Sequence, residues 1–230
     1  MPTSTGRVVL VTGASGGLGQ SVTGTFLKAG STVAGVARSW AGKSFDGTFV
    51  PIEADLSTAQ GAAGAVERAI TAAGAVHAVV HLMGGFAGGQ PVHQTDDETW
   101  DRMLSLNLSS AFRVFRAALP HLLSSGGGRI VAVGSRAGVE PSANLSAYNV
   151  SKAGLHALVK TLAAETRDSG ITVNAVLPSI IDTRVNRAVM PSADFSRWVT
   201  PQSIAELLLW LTSDAAANVS GALIPVYGRA

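Results

Sequence analysis

The sequence predicts an α/β protein: a single domain on a doubly wound parallel sheet of seven strands, with helices on both faces. Three observations carry this. Short runs rich in Val, Ile and Ala alternate with longer stretches of helical character through most of the 230 residues, the pattern of βαβ crossovers and so of a parallel sheet. The first such run passes directly into a glycine-rich turn that opens a helix. No linker, low-complexity tract or repeat beyond the βα alternation divides the chain, so residues 1–230 are expected to share one core.

Composition bounds the function. The chain is 47% hydrophobic and 14% charged, far from a disordered profile. A net charge of +2 is too small to imply a nucleic-acid or acidic-membrane partner. The absence of cysteine removes disulfides, thiolate catalysis and cysteine metal sites. The N-terminus has no charged stretch followed by an apolar one, and no apolar segment reaches the about 20 residues a bilayer needs. A cytoplasmic protein is expected.

Residues 7–12 (RVVLVT) read as a buried first strand. The turn that follows, with Gly13, Gly17 and Gly19, leads into a helix stopped by Gly30. Strand, glycine turn and helix together aim backbone N–H groups at a phosphate. Residues 31–37 read as the second strand, whose tip faces an adenosine ribose in folds of this kind. An acid there would bind the ribose hydroxyls; this chain has Ala37 and Arg38, and a guanidinium pairs with phosphate. NADP(H) is therefore the preferred cofactor, with NAD(H) the second option.

Residues 48–52 read as the third strand. Asp55 either accepts from the adenine amino group or caps the helix that begins near Ser57. Residues 76–82 read as the fourth strand, with His77 and His81 on one face. A metal site is not expected, because no other ligands accompany them. Gly84 and its neighbouring glycines let a ligand approach the backbone, and Phe86 either packs or stacks on a flat substrate ring. Residues 97–123 read as one long helix, with Pro120 marking a kink or break and Asn107 as a polar residue in need of partners.

Residues 129–134 read as the fifth strand, with Ser135 at its carboxyl end, where open parallel sheets bind ligands. A helix begins at Ser146 and carries Tyr148 and Lys152 one turn apart on one face. Residues 171–177 read as the sixth strand. Residues 184–200 mix charge with aromatic side chains and form a candidate lid extending over about 179–200, in which Met190, Phe195 and Trp198 point to a partly apolar pocket. Pro201 opens an amphipathic helix, and residues 222–227 read as the last strand.

A free phenol, with pKa about 10, is a poor acid or base near neutrality. Lys152 is expected to lower that value for Tyr148. Ser135 would polarise a substrate carbonyl while Tyr148 donates a proton to its oxygen, and a nicotinamide would supply hydride. A serine nucleophile is disfavoured, because no GxSxG elbow surrounds Ser135.

With these residues in place the chain resembles the short-chain dehydrogenase/reductase family. The TGASGGLG turn at 12–19, Asn107, Ser135 and the run from Tyr148 to Lys152 match its cofactor motif and its Asn–Ser–Tyr–Lys tetrad. The resemblance spans essentially the whole chain and implies a Rossmann-type fold. It also implies a small carbonyl or alcohol substrate, and a homotetramer or homodimer formed through the two long helices and the C-terminal region. With Arg38 and Asp55 from the reading above, cofactor contacts are expected at Gly13, Ser15, Gly17, Leu18, Gly19, Leu56, Gly84, Tyr148, Lys152 and Pro178, and the resemblance implies that Ile181 and Thr183 contact the nicotinamide amide. Lys152 would also hold the nicotinamide ribose, and Asn107 would order a water in a proton relay. The family's Asn-Asn-Ala-Gly after the fourth strand is here replaced from His81 to Gly84, and its Pro-Gly by Pro178-Ser179. Two stretches, 84–89 (GGFAGG) and 177–198, are also similar to quinonoid dihydropteridine reductases. Those enzymes lack the serine and carry an acid where Ala37 stands. A protein that binds NADPH as a sensor, without turnover, is the alternative of another class.

Overall fold

The carboxyl ends of two neighbouring strands, from which the chain winds outward in opposite directions, organise the molecule. In the computed structural model, which describes residues 4–40, 42 and 44–230, the strands are β1 Val8–Thr12, β2 Thr32–Ala37, β3 Phe49–Glu53, β4 Ala78–His81, β5 Gly128–Val133, β6 Ile171–Pro178 and β7 Leu223–Val226. They form one sheet in the order β3-β2-β1-β4-β5-β6-β7, with every pair parallel. The winding reverses between β1 and β4, and that switch point opens a crevice for a ligand. Residues 1–3, on which part of the reading of the N-terminus rests, lie outside the described residues.

The helices are α1 Gly17–Lys28, α2 Ala59–Ala73, α3 Asp97–Leu104, α4 Ser110–Ser124, α5 Ser146–Glu165, α6 Arg184–Val189 and α7 Pro201–Leu211. One face of the sheet buries side chains of α2, α4 and α5, and the other those of α1 and α7. Each central strand feeds both cores: Ile130 and Ala132 of β5 enter the first, Val131 and Val133 the second. Burial on both faces is why these strands are continuous apolar runs instead of alternating ones.

Two expectations need correction. Pro120 neither breaks nor ends its helix, which runs through it to Ser124; a proline's fixed φ suits a helix, and what it forfeits is one N–H. The irregularity lies earlier, where Ser105–Ser109 form a turn of π-helix between α3 and α4, a feature that re-aims a side chain and is frequent at functional sites. Trp198 is not part of the exposed lid. It and Val199 are buried, and Val199 bridges to Ile181. The exposed excursion comprises α6 and the turn at 195–197, with Val185 and Val189 in solvent.

Thr12 and His81 end β1 and β4 side by side. His81 is fully buried. Its Nε2–H donates to Ser110 Oγ (3.3 Å), whose own proton goes to the Leu106 carbonyl (2.7 Å). Its Nδ1 therefore accepts from Thr12 Oγ1 (3.0 Å), and that oxygen accepts in turn from the N–H groups of Leu82 (3.1 Å) and Met83 (3.2 Å). Every polar atom of this buried network has a partner, as a low-dielectric site requires. His77 precedes β4 and accepts from the Val8 N–H (2.9 Å), so the two histidines serve separate partners.

Burial and the charge of Lys152 hold the His81 pKa down to about 3, and His156 is held to about 4 mainly by burial. Below the unfolded value of 6.5 the unfolded chain takes up protons that these folded histidines refuse. Stability is therefore full above about pH 7 and falls as pH drops toward 4, by ~1.4 kcal/mol per pH unit for each such histidine. In His81→Asn, urea titrations between pH 6 and 4.5 should give a pH slope shallower by about one proton than in the wild type; an unchanged slope would remove His81 as the cause.

Candidate active site

The crevice beyond β1 and β4 is a cleft of about 530 Å³ lined by Gly13, Ser15, Gly17, Leu18, Gly19, Arg38, Leu56 and Gly84 among others. Eight of the residues expected to meet a cofactor therefore share one wall system. Gly13 has φ +67°, and a Cβ there would come within 3.1 Å of the Met83 nitrogen; a Cβ on Gly19 would overlap the Gly13 carbonyl. Only glycine lets turn, helix and β4 loop close on one another so tightly. Leu82, Met83, Leu106 and Ser39 also line the cleft, and nothing in their residue types marked them beforehand.

Arg38 stands on the cleft wall at the end of β2, and Glu53 of neighbouring β3 accepts from the Trp40 N–H (3.1 Å). Asp55 lies next to the cleft, not on its wall. Its Oδ1 accepts from the Ser57 N–H (2.9 Å), and the Ser57 hydroxyl first, then that N–H, with help from the Arg38 charge, keep its pKa below the ordinary value. The cap of α2 is Thr58, which accepts from the Gly61 N–H (3.0 Å); Asp55 shapes the turn before it.

Asn107 occupies the π-turn and is wholly buried. Its Oδ1 accepts from the Gly85 N–H (2.9 Å), and its Nδ2 donates to the Gly85 carbonyl (3.0 Å) and to Ser151 Oγ (3.0 Å). The amide thus pairs with Gly85 as one strand pairs with another, and pins the glycine loop after β4. A Cβ on Gly84 would fall 2.7 Å from Asn107 Oδ1 and 3.4 Å from Lys152 Nζ, so both polar heads meet the floor of the cleft at that glycine.

Lys152 is buried, donates to the Val133 carbonyl (3.0 Å), and has its pKa lowered by burial to about 8. Its ammonium carries three hydrogens. One is taken by Val133, which leaves donors for the hydroxyls of a ligand. Ser135 has extended backbone, and its Oγ accepts from the Ala137 N–H (3.2 Å). Its hydroxyl stands near enough to the Tyr148 phenol to favour the phenolate.

The expectation that Lys152 pulls the Tyr148 pKa down is corrected. Burial is the largest influence and raises it, while the neighbouring Ser135 hydroxyl acts in the opposite direction. The lysine does lie one turn along α5, but its head group is directed to the end of β5. Phe86 is exposed at 68%, and its ring meets the Tyr148 ring edge-on at 4.9 Å between centroids, so it walls the mouth of the site and packs into no core. Thr183 caps α6 (3.2 Å to the Asn186 N–H), and a Cβ on Gly17 would lie 3.3 Å from its methyl group. Pro178 ends β6, and Ile181 sits under the bridge to Val199. Among the described residues no group of three or more His, Asp or Glu gathers as metal ligands do.

A pyridine dinucleotide fits these residues. The glycine turn offers backbone N–H groups at the start of α1, Arg38 offers a cation at the far end, and among the described residues the buried Lys152 gives one hydrogen bond, to Val133, of the three its ammonium can donate.

Comparison with known proteins agrees with this geometry. The short chain dehydrogenase family profile matches residues 7–194. The 3-oxoacyl-acyl-carrier-protein reductase FabG of Pseudomonas aeruginosa is 33% identical, over 97% of this chain and 96% of its own length. A short-chain type dehydrogenase/reductase from Mycobacterium ulcerans superposes with a TM-score of 0.92 at 29% identity, covering 98% of this chain and 90% of that one. The 3-ketoacyl-(acyl-carrier-protein) reductase from Brucella melitensis, solved with NADH, gives 0.89 at 27% identity, over 97% and 98% of the two chains. The chain belongs to the short-chain dehydrogenase family and is an NAD(P)(H)-dependent oxidoreductase of the hydride-transfer type.

Proposed function

We propose that this protein is an NADP(H)-dependent reductase of a small carbonyl compound, with Tyr148 as the proton donor. The observation that carries the reading is the nearness of the Ser135 hydroxyl to the Tyr148 phenol beside a dinucleotide-shaped cleft, with the buried Lys152 ammonium one turn along the helix. When bound, the nicotinamide supplies hydride to the carbonyl carbon. Ser135 turns its Oγ–H to the carbonyl oxygen, and the Tyr148 phenol donates its proton to the same oxygen as negative charge grows there. A phenol whose pKa is raised by burial is fully protonated at neutral pH, which suits donation and so the reducing direction. Lys152 holds the ribose hydroxyls of the cofactor, and Asn107 keeps the Gly84–Gly85 loop against it. Oxidation of an alcohol is the reverse, with Tyr148 accepting.

Arg38 with no acid at Ala37 supports a preference for the 2′-phosphate. Apolar side chains left exposed on α4 and α5, Phe112 and Val150, support a homodimer or homotetramer built through those helices. No helix among the described residues is long and apolar enough to cross a membrane, and a cytoplasmic location is part of this proposal. The names of the relatives make a 3-oxoacyl thioester the first carbonyl to assay.

A second reading, a quinonoid dihydropteridine reductase, draws on the GGFAGG loop and on the exposed Phe86 ring beside Tyr148, a surface on which a flat pteridine would stack. Ser135 weighs against it, since carbonyl polarisation has no place in that reaction. Stopped-flow oxidation of NADPH by quinonoid dihydropterin, undiminished in Ser135→Ala, would favour the pteridine.

Two further outcomes test the main reading. Tyr148→Phe should lower kcat for carbonyl reduction by roughly 10²–10⁴-fold while fluorescence titration still shows NADPH binding; equal turnover in the two proteins would defeat the acid role and favour a sensor. Arg38→Ala should lower kcat/KM for NADPH by about 10–100-fold, the loss of one charge-assisted bond, and leave that for NADH within about threefold; a wild type that prefers NADH would refute the phosphate assignment.

A further inference from the structure

His156 lies on α5 two turns beyond Tyr148 and one beyond Lys152, on the same helical face. It is buried behind Ser135, and its Nε2 accepts from the Ser135 backbone N–H (3.4 Å). β5 ends at Val133, and the Gly134 N–H makes the last bond to β6, donating to the Val176 carbonyl (2.8 Å). The Ser135 N–H has no strand carbonyl, and the imidazole supplies the acceptor that a buried donor needs. The ring also fills the space that two glycines leave. A Cβ on Gly134 would overlap it, and a Cβ on Gly138 would lie 2.5 Å from its Cε1.

The remaining polar atoms of Ser135 are also engaged. Its carbonyl accepts from the Gly138 N–H (3.1 Å), its Oγ accepts from the Ala137 N–H, and its hydroxyl stands beside the phenol. Of its backbone groups, the nitrogen is the one that reaches across to the helix bearing Tyr148; the carbonyl bond and the Oγ bond to Ala137 lie inside the 135–138 turn.

We propose that His156 is a positioning residue: it ties Ser135 to α5 and so sets the separation of the serine hydroxyl from the Tyr148 phenol. The catalytic part of this inference rests on the carbonyl-reductase reading; the geometric part does not. A side chain of similar size with no acceptor would leave the Ser135 N–H unpaired and free the turn to shift. Glutamine places an amide oxygen near the position of Nε2 and should restore the bond.

The test uses NMR and kinetics on the full chain. The sequence has two tyrosines, Tyr148 and Tyr227, so Tyr148→Phe assigns the Cζ resonance of Tyr148 in protein labelled with 13C-tyrosine, and Ser135→Ala marks where that resonance falls without the serine hydroxyl. In His156→Leu the resonance should move toward the Ser135→Ala position, and in His156→Gln it should stay near the wild-type position. NADPH affinity should remain within about twofold in both, while kcat for the carbonyl falls roughly 10–100-fold in the leucine variant, the cost of a misplacement of about 1 Å, and recovers in the glutamine variant. If the leucine variant does not fold, His156→Met, of similar volume, replaces it. A wild-type resonance in the variant lacking an acceptor, or a glutamine variant as displaced as leucine, overturns the proposal. A wild type that turns over no carbonyl counts against the proposed function alone, since the resonance reads the positioning by itself.

Discussion

The backbone at the carboxyl end of β5 must find hydrogen-bond partners where its sheet neighbours stop, and the site is built on how it does so. A parallel strand that runs out beneath a crevice leaves polar groups in a region with little water. Here one helix answers for them. Lys152 takes the Val133 carbonyl, His156 takes the Ser135 N–H, and Tyr148 stands beside the Ser135 hydroxyl. Three side chains at intervals of four residues thus meet two residues, Val133 and Ser135, on either side of Gly134, so the geometry of the reacting groups follows from completing the fold.

A second set of bonds does the same for the glycine loop after β4. Thr12 holds it from β1 through the N–H groups of Leu82 and Met83, and Asn107 holds it from the π-turn through both backbone groups of Gly85. His81 and Ser110 link these anchors. The family's usual asparagine is absent at position 81, and the histidine there serves Thr12 and the helix at once. The loop that must face a nucleotide closely presents Leu82, Met83 and the bare backbone of Gly84 to the cleft and is held from behind on two sides.

Much of this was legible in the residues. Strands buried on both faces read as continuous apolar runs, and all seven were found to within a residue or two. The pairing of Tyr148 with Lys152 follows from helical spacing, and the serine from its place at a strand end. Other features depend on contacts remote in sequence. The π-turn exists because Asn107 has Gly85 to bind, which no local propensity records. Lys152 was read as acting on Tyr148 because they are one turn apart; the competing Val133 carbonyl lies 19 residues away. A lone histidine on the apolar face of α5 looks like any core residue until β5 is laid beside it. Trp198 read as a lid residue because charge surrounds it, while the bridge between Ile181 and Val199 draws it inward.

The buried imidazole at position 81 has one more consequence. Its ring N–H is sealed from water against Ser110 at the start of α4, so the proton can be traded for deuterium only when that helix lifts from the floor of the crevice. The rate of that trade measures how often the crevice floor opens, separately from any motion of the exposed segments above it. A bound dinucleotide that clamps the floor would slow it, and one that merely rests on the rim would not.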